Sequence, residues 1–354
     1  MARTPPRGTP DRSAETDAGP PRTARAGKAV TIRDVAKVAG VSPITVSRAL
    51  SRPELVTPAT LERIREVVAR TGYVPNFLAG SLRSRRSRIV AAVFPQITNT
   101  MFVGTIQALT DRLHEDGYQL LLGLSSYEMH EDELIAGILG RKPDGIYLTG
   151  ISHAPETRRR LVASHIPVVE SWDLTPTPID MLVGFSHEKA GAAMARHLVA
   201  KGHRRIGLVW GNDVRAGFRR NGFVSALAEH GIREAPTILS TAPGMFQRGR
   251  EGFAKLLGLR AGLTAVACSS DVLAQGAIVE AQDRGIRIPA DLAVMGFGDF
   301  DFAAHTSPPL TTIAIDKAGI GRLAAEALLA RIQGKEVAAR IVDVGFRLVE
   351  RGST

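Results

Sequence analysis

The stretch Ser42–Leu50 reads SPITVSRAL and decides how the first part of the chain folds. Ser42 can accept a hydrogen bond from a free N–H group at a helix start, and Pro43 suits the first turn, where its missing N–H is not needed. Three apolar residues fall on one face of this predicted helix: Val46, Ala49 and Leu50. The opposite face carries small hydroxyl groups and Arg48, which raises the question of what that face contacts.

A helix is predicted on each side of this stretch. Thr31 begins the preceding helix, Asp34 completes a capping box with it, and Gly40 ends it. Thr57–Pro58 begins the following helix, which runs to Gly72. Three short helices with a tight glycine turn between the first two form the helix-turn-helix pattern, whose second helix enters the major groove of DNA. The alternative is an ordinary helical hairpin with a polar face.

The charge of the chain favours DNA as the partner of this face. Residues 1–88 carry 17 Lys/Arg and 7 Asp/Glu, whereas residues 89–354 carry 28 of each. A basic end on a neutral body indicates a polyanionic partner, and Arg48 can donate two hydrogen bonds to O6 and N7 of guanine. Residues 1–29 are predicted to be a disordered basic tail, and a solvated tail that aids solubility is the alternative explanation of the charge.

The segment after the third helix is predicted to form a hinge at residues 76–88. Pro75 and Asn76 can begin a short helix, and Leu82 lies near its end, next to Arg83 in an arginine-rich run. This helix is too short to persist alone in water. It either folds on DNA and wedges Leu82 into a minor-groove step, or it is a flexible basic linker with Leu82 packed on a neighbour.

Composition narrows the class of protein. A single cysteine, Cys268, permits no intrachain disulfide. No apolar run approaches the ~18–20 residues that a membrane span needs, and the N-terminal stretch lacks the apolar segment of a secretory signal. We therefore expect a cytoplasmic protein that does not enter a membrane.

Motifs of enzymes are absent from the sequence. It contains no HExxH, no GxSxG, no phosphate-binding glycine loop and no paired cysteines, so we predict no enzymatic activity, no metal ion and no cofactor. An enzyme and a secreted sugar-binding protein are kept as remote alternatives.

Residues 89–354 alternate short β-branched strands with helices, and the rhythm restarts after Gly202. Two rounds of such units imply two doubly wound parallel sheets. Ligands of these folds bind in the crevice at the carboxyl ends of the strands. The predicted fold is therefore a small all-α domain joined by a hinge helix to an α/β sensor domain of two lobes.

Five stretches closely resemble the LacI/GalR family of bacterial transcription regulators: VTIRDVAKVAGVSPITVSRAL (30–50), GYVPNFLAGSLRS (72–84), GHRRIGLVWG (202–211), SSDVLAQGAIVEAQDRGIRIPADLAVMGFGDFD (269–301) and SPPLTTIAID (307–316). The resemblance implies a regulator that binds pseudo-palindromic double-stranded operator DNA as a homodimer, and a sensor domain similar to periplasmic sugar-binding proteins. The family's tetramers carry a C-terminal leucine heptad, and FRLVERGST (346–354) contains none, so we expect a dimer.

The predicted boundaries follow from the pattern and the resemblance together. They are a tail at 1–29, a helix-turn-helix domain at 30–75, a hinge helix and linker at 76–88, and an effector-binding and dimerisation domain at 89–354. Within that last domain, lobe 1 is predicted at 89–187 and 317–340, and lobe 2 at 188–316 and 341–354.

The resemblance assigns DNA contacts by position. Base readers fall on Pro43, Ile44 and Arg48, although Pro43 cannot donate a hydrogen bond and Ile44 offers only an apolar contact. The remaining predicted DNA-binding residues are the phosphate contacts Thr31, Ser42, Thr45, Ser47 and Tyr73, and the hinge residues Asn76, Leu82 and Arg83.

The effector candidates lie where strands end. Trp172 follows a predicted strand and can stack on a sugar-like ring, and Arg219 and Asp271 match positions that bind effectors in the family. Phe102 and Phe246 match cleft positions, and Glu170 is a further candidate. Taken singly, Trp172 also suits a core, Arg219 a solvated helix face and Asp271 a helix N-cap.

Residues 153–191 look most like the gluconate-repressor branch of the family. Arg219 suits a carboxylate, because guanidinium and carboxylate pair in bidentate fashion. The family often has Asp at the position of Gly298, which argues against a pentose or purine pocket. We therefore expect a repressor that is released by a sugar acid such as gluconate. The alternatives are a neutral sugar or other effector, and a ligand that strengthens DNA binding.

Overall fold

The computed structural model describes residues 30–74, 86–95, 100–125, 131–240, 246–259 and 262–354. The chain divides into two compact units, residues 1–80 and residues 81–354. Short helices make up the described part of the first unit, and parallel sheets covered by helices make up that of the second.

In the described part of the first unit, three α-helices follow one another: α1 (Ile32–Ala39), α2 (Pro43–Ser51) and α3 (Pro58–Thr71). The predicted capping box of Thr31 and Asp34 is present. Gly40 (φ 65°) and Gly72 (φ 63°) end α1 and α3 in the left-handed conformation that favours glycine. The turn residues named from the sequence therefore bound the helices as predicted.

A small apolar core holds these helices together. Val35 of α1, Val46 of α2 and Ile64 of α3 are each fully buried. Ala36, Ala39, Ala49 and Val67 complete the buried cluster. Small side chains between α1 and α2 allow these short helices to approach closely, which fixes α2 with one face inward.

The described residues of the second unit form short strands, numbered in chain order. They are β1 (Ile89–Phe94), β2 (Gln119–Leu124), β3 (Gly145–Thr149), β4 (Val168–Ser171), β5 (Met181–Gly184), β6 (Ile206–Gly211), β7 (Thr237–Ser240), β8 (Ala265–Cys268), β9 (Ala293–Met295), β10 (Thr312–Ala314), β11 (Ile341–Asp343) and β12 (Arg347–Val349). Among them, lobe 1 contains a sheet of six parallel strands in the order β11-β5-β4-β3-β1-β2, and lobe 2 contains a sheet of four parallel strands in the order β7-β6-β8-β9.

Eight further α-helices in the described ranges belong to the second unit. They are α4 (Val103–Glu115), α5 (Glu131–Gly140), α6 (Pro155–Ser164), α7 (His187–Ala200), α8 (Val214–Glu229), α9 (Phe246–Gly258), α10 (Asp271–Asp283) and α11 (Lys317–Ile332). The predicted fold class of a helical domain followed by a two-lobed α/β domain is confirmed. The predicted hinge helix falls mostly on residues 75–85, outside the described part of the chain.

The chain passes between the lobes after β5, after β10 and after β11. The last passage corrects the prediction, which placed it near residue 340 and assigned 341–354 to lobe 2. Instead, β11 pairs with β5, with Ile341 opposite Leu182, and so extends the sheet of lobe 1. The following β12 pairs with β10 in an antiparallel manner on the side of lobe 2. Three-residue strands such as these are too short to show periodicity, which is why the sequence did not mark them.

Two glycines let α7 and α8 touch along their backbones. A Cβ atom at Gly191 would lie 1.9 Å from the carbonyl oxygen of Arg219, and one at Gly222 would lie 2.0 Å from that of Glu188. Only glycine permits such an approach. The contact brings Arg219 on α8 beside His187, the first residue of α7.

Candidate functional sites: an exposed helix face and an interlobe cleft

The polar face of α2 points to solvent. Val46 is fully buried, whereas Ile44 is 58% exposed, and Pro43 and Arg48 are exposed as well. This face therefore presents one guanidinium group and one apolar side chain, with no bulky residue between them that would block a groove.

The hydroxyl groups around α2 stay at the surface while they stabilise the helix. Ser42 Oγ accepts the N–H of Thr45 at 3.1 Å and lies 2.8 Å from Thr45 Oγ1. Ser51 Oγ donates to the carbonyl of Ser47 at 2.7 Å. Thr31 is exposed in its capping box at the start of α1. Two of the predicted phosphate contacts, Thr31 and Ser42, are thus helix caps, at helix starts where N–H groups favour anions.

The other predicted DNA contacts are placed only in part. Tyr73 follows α3 and packs partly buried against the core of the first unit. Asn76, Leu82 and Arg83 lie outside the described residues. Their predicted roles in the hinge remain predictions.

The second site lies between the lobes, at the carboxyl ends of the strands. Trp172 directly follows β4 and is 2% exposed. The ring of Phe102 meets it edge-on at 5.0 Å between centroids, and the ring of Phe185 lies 6.1 Å away. Two aromatic residues predicted for the cleft, Phe102 and Trp172, therefore form one wall together with Phe185.

Arg219 enters the cleft from α8 of lobe 2 and is 7% exposed. Its Nη1 lies 2.9 Å from His187 Nδ1, its Nη2 donates to the carbonyl of Ser269 at 3.3 Å, and its guanidinium stands 4.2 Å from the centroid of the Phe297 ring. Within the described residues its Nε has no hydrogen-bond partner. Burial lowers the pKa of Arg219 to about 10, so the group remains charged at neutral pH.

His187 connects Arg219 to lobe 1. Its Nε2 lies 2.8 Å from the carbonyl oxygen of Trp172, so Nε2 carries the proton and Nδ1 accepts from Arg219. Burial, with the charge of Arg219, lowers the pKa of His187 well below its usual range, and the ring is neutral. The backbone of Trp172 has φ 68°, a conformation that is strained for a bulky residue. This strain aims the carbonyl at His187.

An ion pair between the lobes lies beside Arg219. Arg215, one helical turn earlier on α8, donates from Nε to Asp173 Oδ2 at 2.8 Å. Asp173 follows Trp172 in lobe 1, and its side chain is 5% exposed. Sequence reasoning missed both residues. Their signals were an acid next to a strand end and a second arginine four residues from Arg219, which one helix turn brings to the same face.

Polar groups of lobe 1 face the same region. Among the described residues, Tyr147 Oη, Thr149 Oγ1 and Trp172 Nε1 are buried and have no hydrogen-bond partner. Burial raises the pKa of the Tyr147 phenol, whereas the polar side chain of Ser171, the charge of nearby Arg215, and the polar side chains of Trp172 and Thr149 act to lower it. Buried polar groups in native proteins normally have partners, and these three lie close enough to act on one another, so they can serve each other or the hydroxyls of a ligand.

Asp271 is tied to its own lobe. The carboxylate accepts the N–H of Phe300 at 2.9 Å and the hydroxyl of Thr312 at 2.5 Å. Burial raises its pKa to about 6. Ser270, not Asp271, caps α10. The structure therefore shows a loop anchor at Asp271, and the predicted contact with effector hydroxyls remains a prediction.

Gly298 lies in the loop that Asp271 anchors. Its φ is 125°, and a Cβ atom there would stand 2.6 Å from Met101 Cε. A side chain at this position would have to displace Met101 and Phe300. The positive φ would also be strained for any residue with a side chain, so this loop favours glycine.

The remaining two candidates lie apart from Arg219. Glu170 Oε2 accepts the N–H of Ile179 at 2.5 Å, and its Oε1 lies 3.5 Å from His153 Nε2. His153 also contacts Glu131 at 2.7 Å. Phe246 begins α9 and is 40% exposed. In the described residues no hydrogen bond, ion pair or ring contact joins Glu170 or Phe246 to Arg219 or Trp172, so their predicted roles are unsupported by contacts.

The described residues contain neither a candidate metal site nor a candidate membrane span. No group of three or more His, Cys, Asp or Glu side chains there has the arrangement to hold a metal ion. In the same part of the chain, no helix combines the length and apolarity that crossing a membrane requires.

Comparison with known proteins bears on both sites. Residues 31–76 match the bacterial regulatory proteins of the lacI family, and residues 195–354 match the periplasmic binding protein-like domain. The HTH-type transcriptional regulator GntR of Pseudomonas aeruginosa is 39% identical over 327 residues, which cover 92% of this chain and 95% of the relative. The GntR regulator of Escherichia coli K12 is 31% identical over 334 residues, covering 92% and 99%.

Solved structures show the same likeness. The transcription regulator GntR from Chromobacterium violaceum has 40% identity and a TM-score of 0.72, covering 75% of this chain and 98% of its own. The lac repressor dimer bound to operator and the anti-inducer ONPF has 25% identity and a TM-score of 0.80, covering 92% and 99%.

The exposed helix face and the interlobe cleft, taken with these likenesses, define a DNA-binding transcriptional regulator with a small-molecule sensor. The chain belongs to the lacI family of bacterial regulatory proteins and is not an enzyme. Members of this family bind operator DNA and small-molecule effectors and act as dimers.

Proposed function

We propose that this regulator is a homodimeric repressor that binds a pseudo-palindromic operator and releases it when a sugar acid, gluconate or a close relative, binds between the lobes. The observation that carries the proposal is the state of Arg219. Its guanidinium is buried, contacts no carboxylate among the described residues, and keeps Nε unpaired.

A buried cation without a counter-ion is costly, and a ligand carboxylate would offset that cost. Arg219 can offer such a carboxylate two parallel hydrogen bonds once the weak 3.3 Å contact with Ser269 is exchanged. The ring of Phe297 supports the guanidinium from one face. The geometry therefore favours an anionic head group at Arg219 over a neutral one.

The rest of the ligand is proposed to be a polyol. Tyr147, Thr149 and Trp172 contribute buried polar atoms without partners in the described residues, and Trp172 and Phe102 contribute aromatic surface. Hydroxyl groups and C–H faces of a sugar chain match these two features. The name GntR, which three of the similar proteins carry, is consistent with the gluconate-repressor branch that the sequence resembles.

Operator recognition is proposed for α2 and its surroundings. Arg48 and Ile44 would read bases, and Thr31, Ser42, Thr45, Ser47 and Tyr73 would contact phosphates. Pro43 would shape the start of the reading helix without donating. Base contacts of this kind specify sequence, whereas phosphate contacts position the protein.

Effector control is proposed to work through the lobes. A ligand held by Arg219 of lobe 2 and by Trp172 of lobe 1 would favour one relative arrangement of the lobes. The ligand can shift the DNA affinity only by as much as its own binding free energy differs between the two arrangements of the lobes. A ligand that strengthens DNA binding is the competing possibility, and the experiment below distinguishes the two by the direction of the change.

Pairing of two chains is proposed along the edge strands β2 and β7. Leu121, Leu122 and Leu124 on β2 are 37–40% exposed, and Leu239 on β7 is 47% exposed. An exposed apolar edge strand favours association. We expect Leu122→Lys to give a sedimentation mass of one chain, and Val162→Lys, at an exposed site on α6, to leave two chains. A wild-type mass of four chains would contradict the proposed dimer.

The function is tested by fluorescence anisotropy of the full chain on duplex DNA from its own upstream region, with and without gluconate. Release by gluconate is the expected result, with glucose and a purine as comparison ligands. Release by glucose or the purine but not by gluconate would refute the sugar-acid effector, and tighter binding with gluconate would refute release. Affinity that does not fall with salt would refute DNA binding through phosphate contacts.

A further inference from the structure

Two arginines of one helix reach the cleft, but they differ in their partners. Arg215 is paired with Asp173 at 2.8 Å, whereas the contacts of Arg219 are with the neutral groups His187 and Ser269 and with an aromatic ring. The Arg215 side chain is 19% exposed, and that of Asp173 is 5% exposed. The ion pair is therefore largely shielded from solvent: burial raises the pKa of Asp173, and the charge and hydrogen bond of Arg215 act against that rise.

A further carboxylate, that of Asp213, lies at the start of the same helix as the two arginines. Asp213 caps α8 by accepting the N–H of Ala216 at 3.0 Å, and its charge acts on Arg219. Asp213 acts on Arg219 only through its charge, because no ion pair joins the two among the described residues, whereas Asp173 contacts Arg215 directly. One ligand carboxylate can bind Arg219 directly, but a second would meet a cation that is already neutralised.

The approach of Arg215 to Asp173 depends on a glycine. Gly150 follows β3 with φ 111°, and a Cβ atom there would lie 2.6 Å from Arg215 Nη2. The guanidinium therefore passes through space that a side chain at position 150 would fill. Because Arg215 belongs to lobe 2 and both Asp173 and Gly150 to lobe 1, the ion pair also joins the lobes.

We infer that Asp173 limits the cleft to ligands with a single negative charge, because it occupies Arg215 and leaves Arg219 as the one arginine open to an anion. The inference rests on the proposed sugar-acid effector and specifies its charge. A dicarboxylate would have to displace Asp173 from Arg215, which would break an ion pair between the lobes and leave Asp173 buried without a partner.

The test is calorimetry on the full chain with gluconate as a monocarboxylate, glucarate as a dicarboxylate of the same length, and glucose as the neutral comparison. We expect wild type to prefer gluconate over glucarate by roughly tenfold or more, since like charges placed close together repel strongly. Asp173→Asn should shift the ratio of the two dissociation constants toward glucarate by roughly tenfold, because Arg215 is then free. Asp111→Asn, on the exposed side of α4, is the matched control and should leave the ratio unchanged.

Two more variants separate charge selection from a structural role. Arg215→Gln leaves Asp173 uncompensated and should weaken both acids. The double variant Asp173→Asn/Arg215→Gln should recover gluconate binding without gaining glucarate. Operator affinity and melting temperature verify the fold of every variant, and Arg215→Gln, at the more exposed residue of the pair, still tests the inference if Asp173→Asn does not fold.

The outcomes are distinct. Equal affinity of wild type for gluconate and glucarate would overturn the charge limit and leave the sugar-acid effector standing. An equal loss of affinity for both acids in Asp173→Asn would also overturn the charge limit, since a purely structural residue gives that result. Binding of glucose but of neither acid would refute the proposed effector itself, and the charge limit would fall with it.

Discussion

Helix α2 and the interlobe cleft hold their arginine side chains in opposite ways. Arg48 on α2 is exposed, and the helix beneath it is fixed by Val46 and Ala49. Arg219 in the cleft is buried and fixed by its own hydrogen bonds to His187 and Ser269. The Arg48 guanidinium stays hydrated until a partner binds, whereas the Arg219 guanidinium is already desolvated before a ligand binds.

This difference predicts how each site responds to change. Removing an exposed group alters binding but hardly alters stability. Removing a buried charged group that lacks a counter-ion alters binding strongly and can even raise the free energy of unfolding. Four measurements test whether the contrast holds.

The largest effect is expected for Arg219→Met. Gluconate affinity should fall roughly 100-fold or more, because a charge-assisted contact in a desolvated site is lost. The free energy of unfolding should stay within about 1 kcal/mol of wild type or rise, since the buried charge has no carboxylate partner. Calorimetry and urea unfolding measure the two quantities, and Arg220→Met, on the partly exposed neighbour, is the control. A large loss of stability in Arg219→Met would show that the arginine is a structural group.

The next effect concerns pH and the group formed by His153 with Glu131 and Glu170. Burial disfavours the charged His153 ring, but the two carboxylates that face it outweigh this effect and raise its pKa to about 9. The stabilisation is therefore full below pH ~6.5 and is lost as the pH rises through about 9. We expect up to about 3 kcal/mol less unfolding free energy at pH 9.5 than at pH 6.5.

His153→Gln should reduce the fall in unfolding free energy between pH 6.5 and pH 9.5. His230→Gln, at an exposed position, should leave that fall unchanged. Urea unfolding at the two pH values gives the comparison. An identical pH dependence in wild type and His153→Gln would mean that the ring is not charged in the folded protein.

A smaller effect is expected for Arg48→Ala. Operator affinity should fall roughly 10- to 100-fold, because a bidentate contact with guanine contributes about 1–3 kcal/mol. The melting temperature should not change, since the side chain is exposed. Arg63→Ala, an exposed arginine on α3, is the control. Arg48 contacts phosphate and does not read bases if Arg48→Ala and Arg63→Ala lower the operator affinity equally and reduce its dependence on salt equally.

The smallest effect is expected for Asp34→Ala in the first unit. Asp34 Oδ2 accepts from the N–H of Thr31 at 2.9 Å and from its hydroxyl at 2.7 Å. Losing this capping box should lower the free energy of unfolding of the helical unit by about 1 kcal/mol. Differential scanning calorimetry measures it, with Glu62→Ala as the control, because the exposed pair of Glu62 with Arg65 contributes little. A loss equal to that of the control would show that the box does not stabilise the helix.

The same contrast explains what the sequence could predict. The helical unit depends on local signals such as Thr31 with Asp34, Ser42 with Pro43, and Gly72, and each of these is visible in the sequence. The alternation of strands and helices in residues 89–354 likewise predicted two parallel sheets. The family resemblance supplied Arg219, which no local pattern distinguishes from a solvated arginine.

The rest of the cleft depends on contacts between distant residues. Asp173 lies 42 positions from Arg215, and His187 lies 32 from Arg219. No periodicity brings such residues together. The anchoring of Asp271 by Thr312 and Phe300 likewise depends on the packing of a loop against β10. These pairings had to come from the structure.

The position of Trp172 gives the protein a built-in optical reporter. The chain contains two tryptophans, and the other, Trp210, is fully buried in lobe 2, where its indole N–H donates to the carbonyl of Ala216 at 2.6 Å. The variant Trp210→Phe would therefore leave Trp172 as the one indole of the chain. A spectral change on titration then reports from the Trp172 indole at the cleft, so occupancy can be followed in real time without a label.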